Sequence, residues 1–270
     1  MNNVGDRAKY WLSRPLCKRY SVATFSAASR LQVVGSVAPS RTIWWALGTL
    51  INGDCEILGA WNSNDDGAIP AEVFGGLYDR GVEYITYASG DLAASQSAFN
   101  AAYPRAVLLP SIEQSLAVAL ASVRSAHRTV MSGLLRAAAA RPAEPVVAAL
   151  PGISSADWRE RYPRILEQWD EAVAGFQPLF ALPEPYRQLV RSVDRTAIEV
   201  HERLMRAVFR HGPFVDSCEA FEFVAAALQR VDQRLYRELE ARRLARDACV
   251  SLSGRVAPAS GGALGTPMLA

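Results

Sequence analysis

Lysine is nearly absent from this chain: Lys9 and Lys18 are the only two among 29 basic residues. Almost every positive charge is therefore a guanidinium, the group suited to bidentate phosphate contacts. Cysteine is scarce too. Cys17, Cys55, Cys218 and Cys249 lie far apart with no C-x-x-C spacing, which argues against a disulfide framework or a zinc site and leaves reduced, structural thiols. No apolar run approaches the roughly 20 residues that span a bilayer. Residues 1–20 carry five Lys/Arg against one acid, and no apolar h-region follows them, so a secretory leader is not expected and the expected compartment is the cytosol. Phosphate-loop, G-x-S-x-G and H-E-x-x-H patterns are missing. The three histidines, His127, His201 and His211, fall in arginine-containing helical stretches and read as solvated or satisfied side chains rather than ligands.

What is present points to a folded α/β chain. Half of the 270 residues are hydrophobic, enough for one large domain or two small ones. Short β-type runs occur at Tyr20–Ala27, Thr42–Ile51 and Cys55–Asn62, and the turn Asn52-Gly53-Asp54 joins the last two as a hairpin. A helix starts near Pro70, Tyr84–Ser89 has buried-strand length, Leu92–Ala102 reads as helix, and Ala106–Leu109 is a further strand. The order is β-β-β-α-β-α-β. One alanine-rich helix is expected over Ile112–Arg141 and a helical stretch over Ser155–Leu179, broken by Pro163 and Pro178. Two more helices follow. The first is expected from about Thr196 to His211, where Thr196-Ala-Ile-Glu199 matches a capping box, and the second starts at Asp216 with Glu219 three residues on. After Arg246 the composition turns to Gly, Ala, Ser and Pro, so a disordered tail is expected.

Spacings of four, three and four place Glu199, Arg203, Arg206 and Arg210 on one helical face. One reading makes Glu199 a capping acid paired with Arg203. The other sets a carboxylate beside a guanidinium row that faces a phosphate backbone. Spacing alone leaves both open.

Asp157-Trp-Arg-Glu-Arg-Tyr-Pro163, Trp169, Phe180, Arg195-Thr-Ala-Ile-Glu199 and Gly212-Pro-Phe214 together resemble the C-terminal half of the mutator-type transposases of bacterial insertion sequences. Upstream, Ala46-Leu-Gly48, Asn52-Gly53, Ile57-Leu-Gly-Ala-Trp61, Asp79-Arg-Gly-Val82 and Ala101-Ala-Tyr-Pro104 are similar to that family's strand and helix words, in collinear order. The resemblance implies a ribonuclease H-like α/β fold: a mixed sheet, a helical insertion before the last catalytic helix, and an α-helical C-terminal part. Its expected divisions are a basic segment at 1–19, an α/β core at 20–111, the insertion at 112–183, completing helices at 184–246 and a disordered tail at 247–270.

Active members of that family use two aspartates and a glutamate to hold two Mg²⁺ ions at a DNA phosphodiester. Carried onto this chain, the glutamate falls on Glu199. The first-strand aspartate falls on Ser26 and the second on Gly90, with Asp91 one residue beyond as the only substitute. The family's C-x-x-H after the fifth strand corresponds to Ser111-Ile-Glu-Gln114. Two cations brought close together need several anionic oxygens to offset their repulsion, so no bound metal or other cofactor is expected here. Only 19 residues precede Tyr20, so the family's helical DNA-binding region, and recognition of the element's ends with it, is expected to be lost. The resulting expectation is a transposase-derived protein with catalytic candidates Glu199 and Asp91, lacking catalysis but binding DNA without sequence preference through Arg203, Arg206 and Arg210. A competing expectation is a non-enzymatic interaction protein whose Trp44, Trp45, Trp158 and Trp169 contact a full-length transposase or a second copy, with core packing as the other reading of those tryptophans.

Overall fold

A computed structural model describes residues 4–34, 41–63, 68–90, 92–139 and 160–253. Helix α1 (Val4–Ser13) precedes β1 (Arg19–Leu31), β2 (Arg41–Thr49), β3 (Cys55–Asn62), α2 (Ala71–Asp79) and β4 (Tyr84–Gly90). A single 3₁₀ turn, Ala93–Ser95, leads into α3 (Gln96–Ala102) and then β5 (Val107–Leu109). The helical half comprises α4 (Ile112–Ala121), α5 (Ser125–Ala139), α6 (Pro163–Gly175), α7 (Gln177–Phe180), α8 (Glu184–His211) and α9 (Ser217–Ser253).

The five strands form one sheet in the order β3-β2-β1-β4-β5. The first three run antiparallel as a meander, while β4 and β5 are parallel to β1. This is the ribonuclease H-like mixed sheet expected from the resemblance. The Asn52-Gly53-Asp54 turn closes β2 on β3: the Asp54 amide donates to Asn52 Oδ1 at 3.1 Å, and Leu50 N–H donates to the Asp54 carbonyl.

Each face of the sheet buries a separate core. On one side Phe25, Phe74 and Phe99 meet edge to face at 5.5–5.9 Å under α2 and α3, an arrangement that adds quadrupole attraction to area burial. On the other side Val22, Trp45 and Ile57 pack against Val193, Val200 and Leu204 of α8 and Val224 and Leu228 of α9. A third cluster, with Met131, Leu135, Trp169 and Phe176, joins α5 to α6 and α7.

Several boundaries differ from the sequence expectation. The residues before Tyr20 are not merely a basic segment, because α1 docks on α9: Trp11 Nε1 and Arg14 Nη2 both donate to Asp232 Oδ2, at 2.8 and 2.9 Å, while Ile57 N–H donates to Asp232 Oδ1 at 2.7 Å. The alanine-rich stretch is two helices rather than one, divided at 122–124. The break is stabilised locally, with Val123 N–H on the Leu120 carbonyl and the Arg128 guanidinium on the Val123 carbonyl. Helix α9 continues past Arg246 to Ser253; the rest of the expected disordered tail lies outside the described residues. Its start matches expectation: Asp216 Oδ1 accepts from Glu219 N–H, and Glu219 Oε2 accepts from Val215 N–H, a reciprocal cap that satisfies two otherwise orphaned donors. Among the described residues, no helix is long and apolar enough to cross a membrane.

Candidate functional site

The carboxyl end of β4 lies beside the middle of the parallel β1, with Thr24 opposite Ser89 and Phe25 opposite Gly90. Open α/β sheets place their functional crevices at such ends. Helix α8 packs against β1 here, and between helix and sheet lies a buried polar cluster. Thr24 Oγ1 and Ser89 Oγ are 2.8 Å apart, and Ser89 Oγ donates to Asp194 Oδ1 at 3.2 Å. Asp194, Thr24 and Ser89 are all buried. Burial pushes the Asp194 carboxyl up to about 7; hydrogen bonds from Ser111 and Ser89 act in the opposite direction, and Glu113 adds to the rise. Glu113 is itself held by a two-point ion pair with Arg136 of α5.

Ser26 stands two residues beyond Thr24 on β1 and is half-buried. Side chains two apart share a face of a strand, so Ser26 belongs to the face that α8 covers. Gly90 has φ +107°, and a Cβ placed there would lie 1.9 Å from the Phe25 carbonyl oxygen. Only a glycine fits where β4 ends against β1. Asp91, the substitute acid, lies outside the described residues.

Helix α8 begins twelve residues before the expected Thr196 cap, behind Pro183 and with Pro185 in its first turn. Proline is pre-organised for that position and its missing N–H costs nothing there. Thr196 is therefore an interior helical residue whose hydroxyl donates to the Ser192 carbonyl at 3.0 Å, and the capping box at Thr196 and Glu199 does not form. The buried stripe of α8 runs Val190, Val193, Asp194, Ala197, Val200, Leu204 and Val208. Glu199 lies about two and a half turns beyond Val190, on the opposite side. Its side chain is 57 % exposed, with Arg203 Nη2 at 4.0 Å. The structure thus separates Glu199 from the Ser26 and Gly90 positions, and it places Asp194 at the sheet instead. Sequence reasoning missed Asp194, although a signal existed: it is the one acid at helical spacing within the apolar stripe.

Two divalent cations would need converging carboxylates. Among the described residues no group of three or more His, Cys, Asp or Glu side chains could hold a metal ion, and the end of β4 beside β1 offers hydroxyls and one carboxyl that burial makes harder to ionise. This donor set does not fit a two-cation centre.

The solvent side of α8 is basic. Between residues 191 and 210 it exposes Arg191, Arg195, Arg203, Arg206 and Arg210 against Glu199 and Glu202. The two acids pair with Arg203 and Arg206 at 4.0 and 3.5 Å, exposed pairs that solvent and salt weaken. The tryptophans offer no comparable surface. Trp44, Trp45 and Trp169 are buried, contrary to the expectation that they contact a partner, and Trp158 lies outside the described residues. Large aromatic area is removed from water wherever the fold permits, and these three fill the cores described above. Of the histidines, His127 Nδ1 is 2.8 Å from the Tyr162 hydroxyl and His211 stacks on Phe214.

The family model described as "Transposase, Mutator family" matches residues 1–237. A Rhizobium meliloti protein named as the transposase for insertion sequence element ISRM3 is 31% identical over 209 residues, covering 76% of this chain and 52% of the relative. A Sinorhizobium fredii protein named "Probable transposase for insertion sequence element ISRM3-like" shares the same identity and coverage. A Corynebacterium diphtheriae protein named as a probable insertion-sequence transposase is 26% identical over 225 residues, covering 81% of this chain and 64% of the relative. The chain spans about half the length of the first two relatives.

Proposed function

The chain belongs to the mutator family of transposases, and from that premise we propose that it binds DNA without sequence preference through the solvent face of α8 and does not cleave it. The observation that carries the reading is the exposed guanidinium row Arg203, Arg206 and Arg210, continued by Arg191 and Arg195. Guanidinium groups position a protein on the phosphate backbone and carry no sequence information themselves. Support for lost cleavage comes from Ser26 and Gly90, the positions to which the resemblance assigns the family's aspartates, and from Glu199, which lies on the exposed side of α8.

Binding to a random-sequence duplex is expected to weaken linearly on a log–log plot against salt. Three phosphate contacts correspond to a slope of about −2.7. Replacing Arg203, Arg206 and Arg210 together with alanine should lower affinity roughly tenfold and flatten the slope. A triple variant that binds with the parent's affinity and slope would show that this face does not touch DNA.

Cleavage is checked separately. A labelled duplex incubated with Mg²⁺ or Mn²⁺ should stay intact, and a nick that disappears in Glu199→Gln would restore Glu199 to a catalytic role and overturn the inactive reading.

A further inference from the structure

On α8, two neighbouring ridges run side by side, because residues four apart stack along a helix. One carries His201, Met205 and Phe209. The other is ionic: Glu202, Arg206, Arg210. Together they line a shallow groove of about 750 Å³. Phe209 is 88 % exposed, although it stands one residue from Val208, which reaches the core. An exposed phenylalanine ring in a groove that Arg206 and Arg210 also line suits a ligand that is both aromatic and anionic. The guanidinium of Arg210 is turned back along the helix, its Nε donating to the Arg206 backbone carbonyl at 3.3 Å, and the Arg206 guanidinium lies 3.5 Å from Glu202 in an exposed pair that solvent weakens. Burial lowers the pKa of His201, against a smaller opposing effect of Glu202.

We infer that this groove stacks an unpaired nucleobase on Phe209 while Arg206 and Arg210 hold the adjoining phosphates. Every base has a π-face, so stacking is sequence-tolerant, and aromatic platforms beside basic side chains are how single strands are gripped without base readout. A base inside an intact duplex keeps its faces stacked and cannot use the site. The inference rests on the DNA-binding reading above and refines it: α8 should prefer a single strand or a frayed end over continuous duplex.

The test compares a labelled mixed-sequence single strand of 20 nucleotides with the duplex of the same sequence, by fluorescence anisotropy at fixed low salt. The parent should bind the single strand more tightly. Phe209→Ala should weaken single-strand binding about five- to tenfold and leave duplex binding within about twofold. Phe209→Trp should keep the affinity and add an indole emission, absent from the parent's difference spectrum, that is quenched on single-strand binding. Duplex binding with no loss of single-strand affinity in Phe209→Ala overturns the base site and leaves the proposed function standing. Absence of binding to both DNAs defeats the proposed function and this inference together. If sedimentation shows that Phe209→Ala dissociates a dimer of the parent while DNA affinity is unchanged, Phe209 is a contact between copies and the base site is again overturned.

Discussion

Replacing Gly90 with aspartate is expected to cost more than about 3 kcal/mol of stability and to restore no metal-dependent cleavage, even when Ser26→Asp is made alongside it. The positive φ of Gly90, +107°, lies where an L side chain is strained by about 1–3 kcal/mol. The contact adds to this. A Cβ would fall 1.9 Å from the Phe25 carbonyl oxygen, a backbone atom of the paired strand, so relief requires prying β4 from β1 just where the sheet buries Thr24 and Ser89. Urea unfolding of the single variant measures the cost. A double variant that folds with near-parent stability and cuts DNA in Mn²⁺ would mean that the end of β4 and the middle of β1 still have room for the family's acids.

Asp194→Asn is expected to stabilise the protein at pH 8 and to leave it nearly unchanged at pH 4. The folded-state pKa of Asp194, about 7, lies above the ordinary aspartate value of 3.8. The folded chain therefore holds this proton more tightly than the unfolded chain does. Its contribution to stability is greatest below about pH 4, falls as pH rises towards 7, and levels off above that, which is the reverse of the usual paired carboxylate. The shift corresponds to at most about 4 kcal/mol between the two plateaus. Glu113 is the other acid acting on this group, and it is neutralised in part by Arg136. Asparagine stays uncharged across the range and can keep the contact to Ser89, so the variant should exceed the parent by roughly 2–4 kcal/mol at pH 8. Unfolding curves from pH 4 to 8.5 read this directly. Parallel pH profiles for parent and variant would show that Asp194 does not titrate in that window.

The sheet was largely legible from local pattern. Cys55–Asn62 is a strand with the bounds its apolar run suggests, because a buried strand needs little more than a short apolar run between turn residues. Gly53 and its polar neighbours made the hairpin readable for the same local reason. The helical half was less legible. Thr196-Ala-Ile-Glu199 carries the residues of a capping box, yet α8 runs through it, since an amphipathic stripe packed on a sheet outweighs a cap worth about 1 kcal/mol. Trp11 and Arg14 gave no sign of docking on α9, because their partner Asp232 is more than two hundred residues away.

The candidate site divides in the same way. Residue types and their collinear order were enough to point to the family and to an α/β sheet followed by helices, because hydrophobic periodicity and turn chemistry act over a few residues and are written in the chain. Helical spacing likewise put Arg203, Arg206 and Arg210 together on α8 without help from the rest of the fold. Which side of α8 meets the sheet was a different matter. Four-residue spacing groups Glu199 with those arginines, but only packing of the Val190–Val208 stripe against β1 turns Glu199 to solvent and Asp194 inward. Whether Gly90 could be replaced by an acid was also beyond local pattern, since the obstacle is the Phe25 carbonyl on a strand 65 residues earlier. Contacts between distant segments decide burial, and burial decides whether a carboxyl is a charge in water or a protonated group in the core.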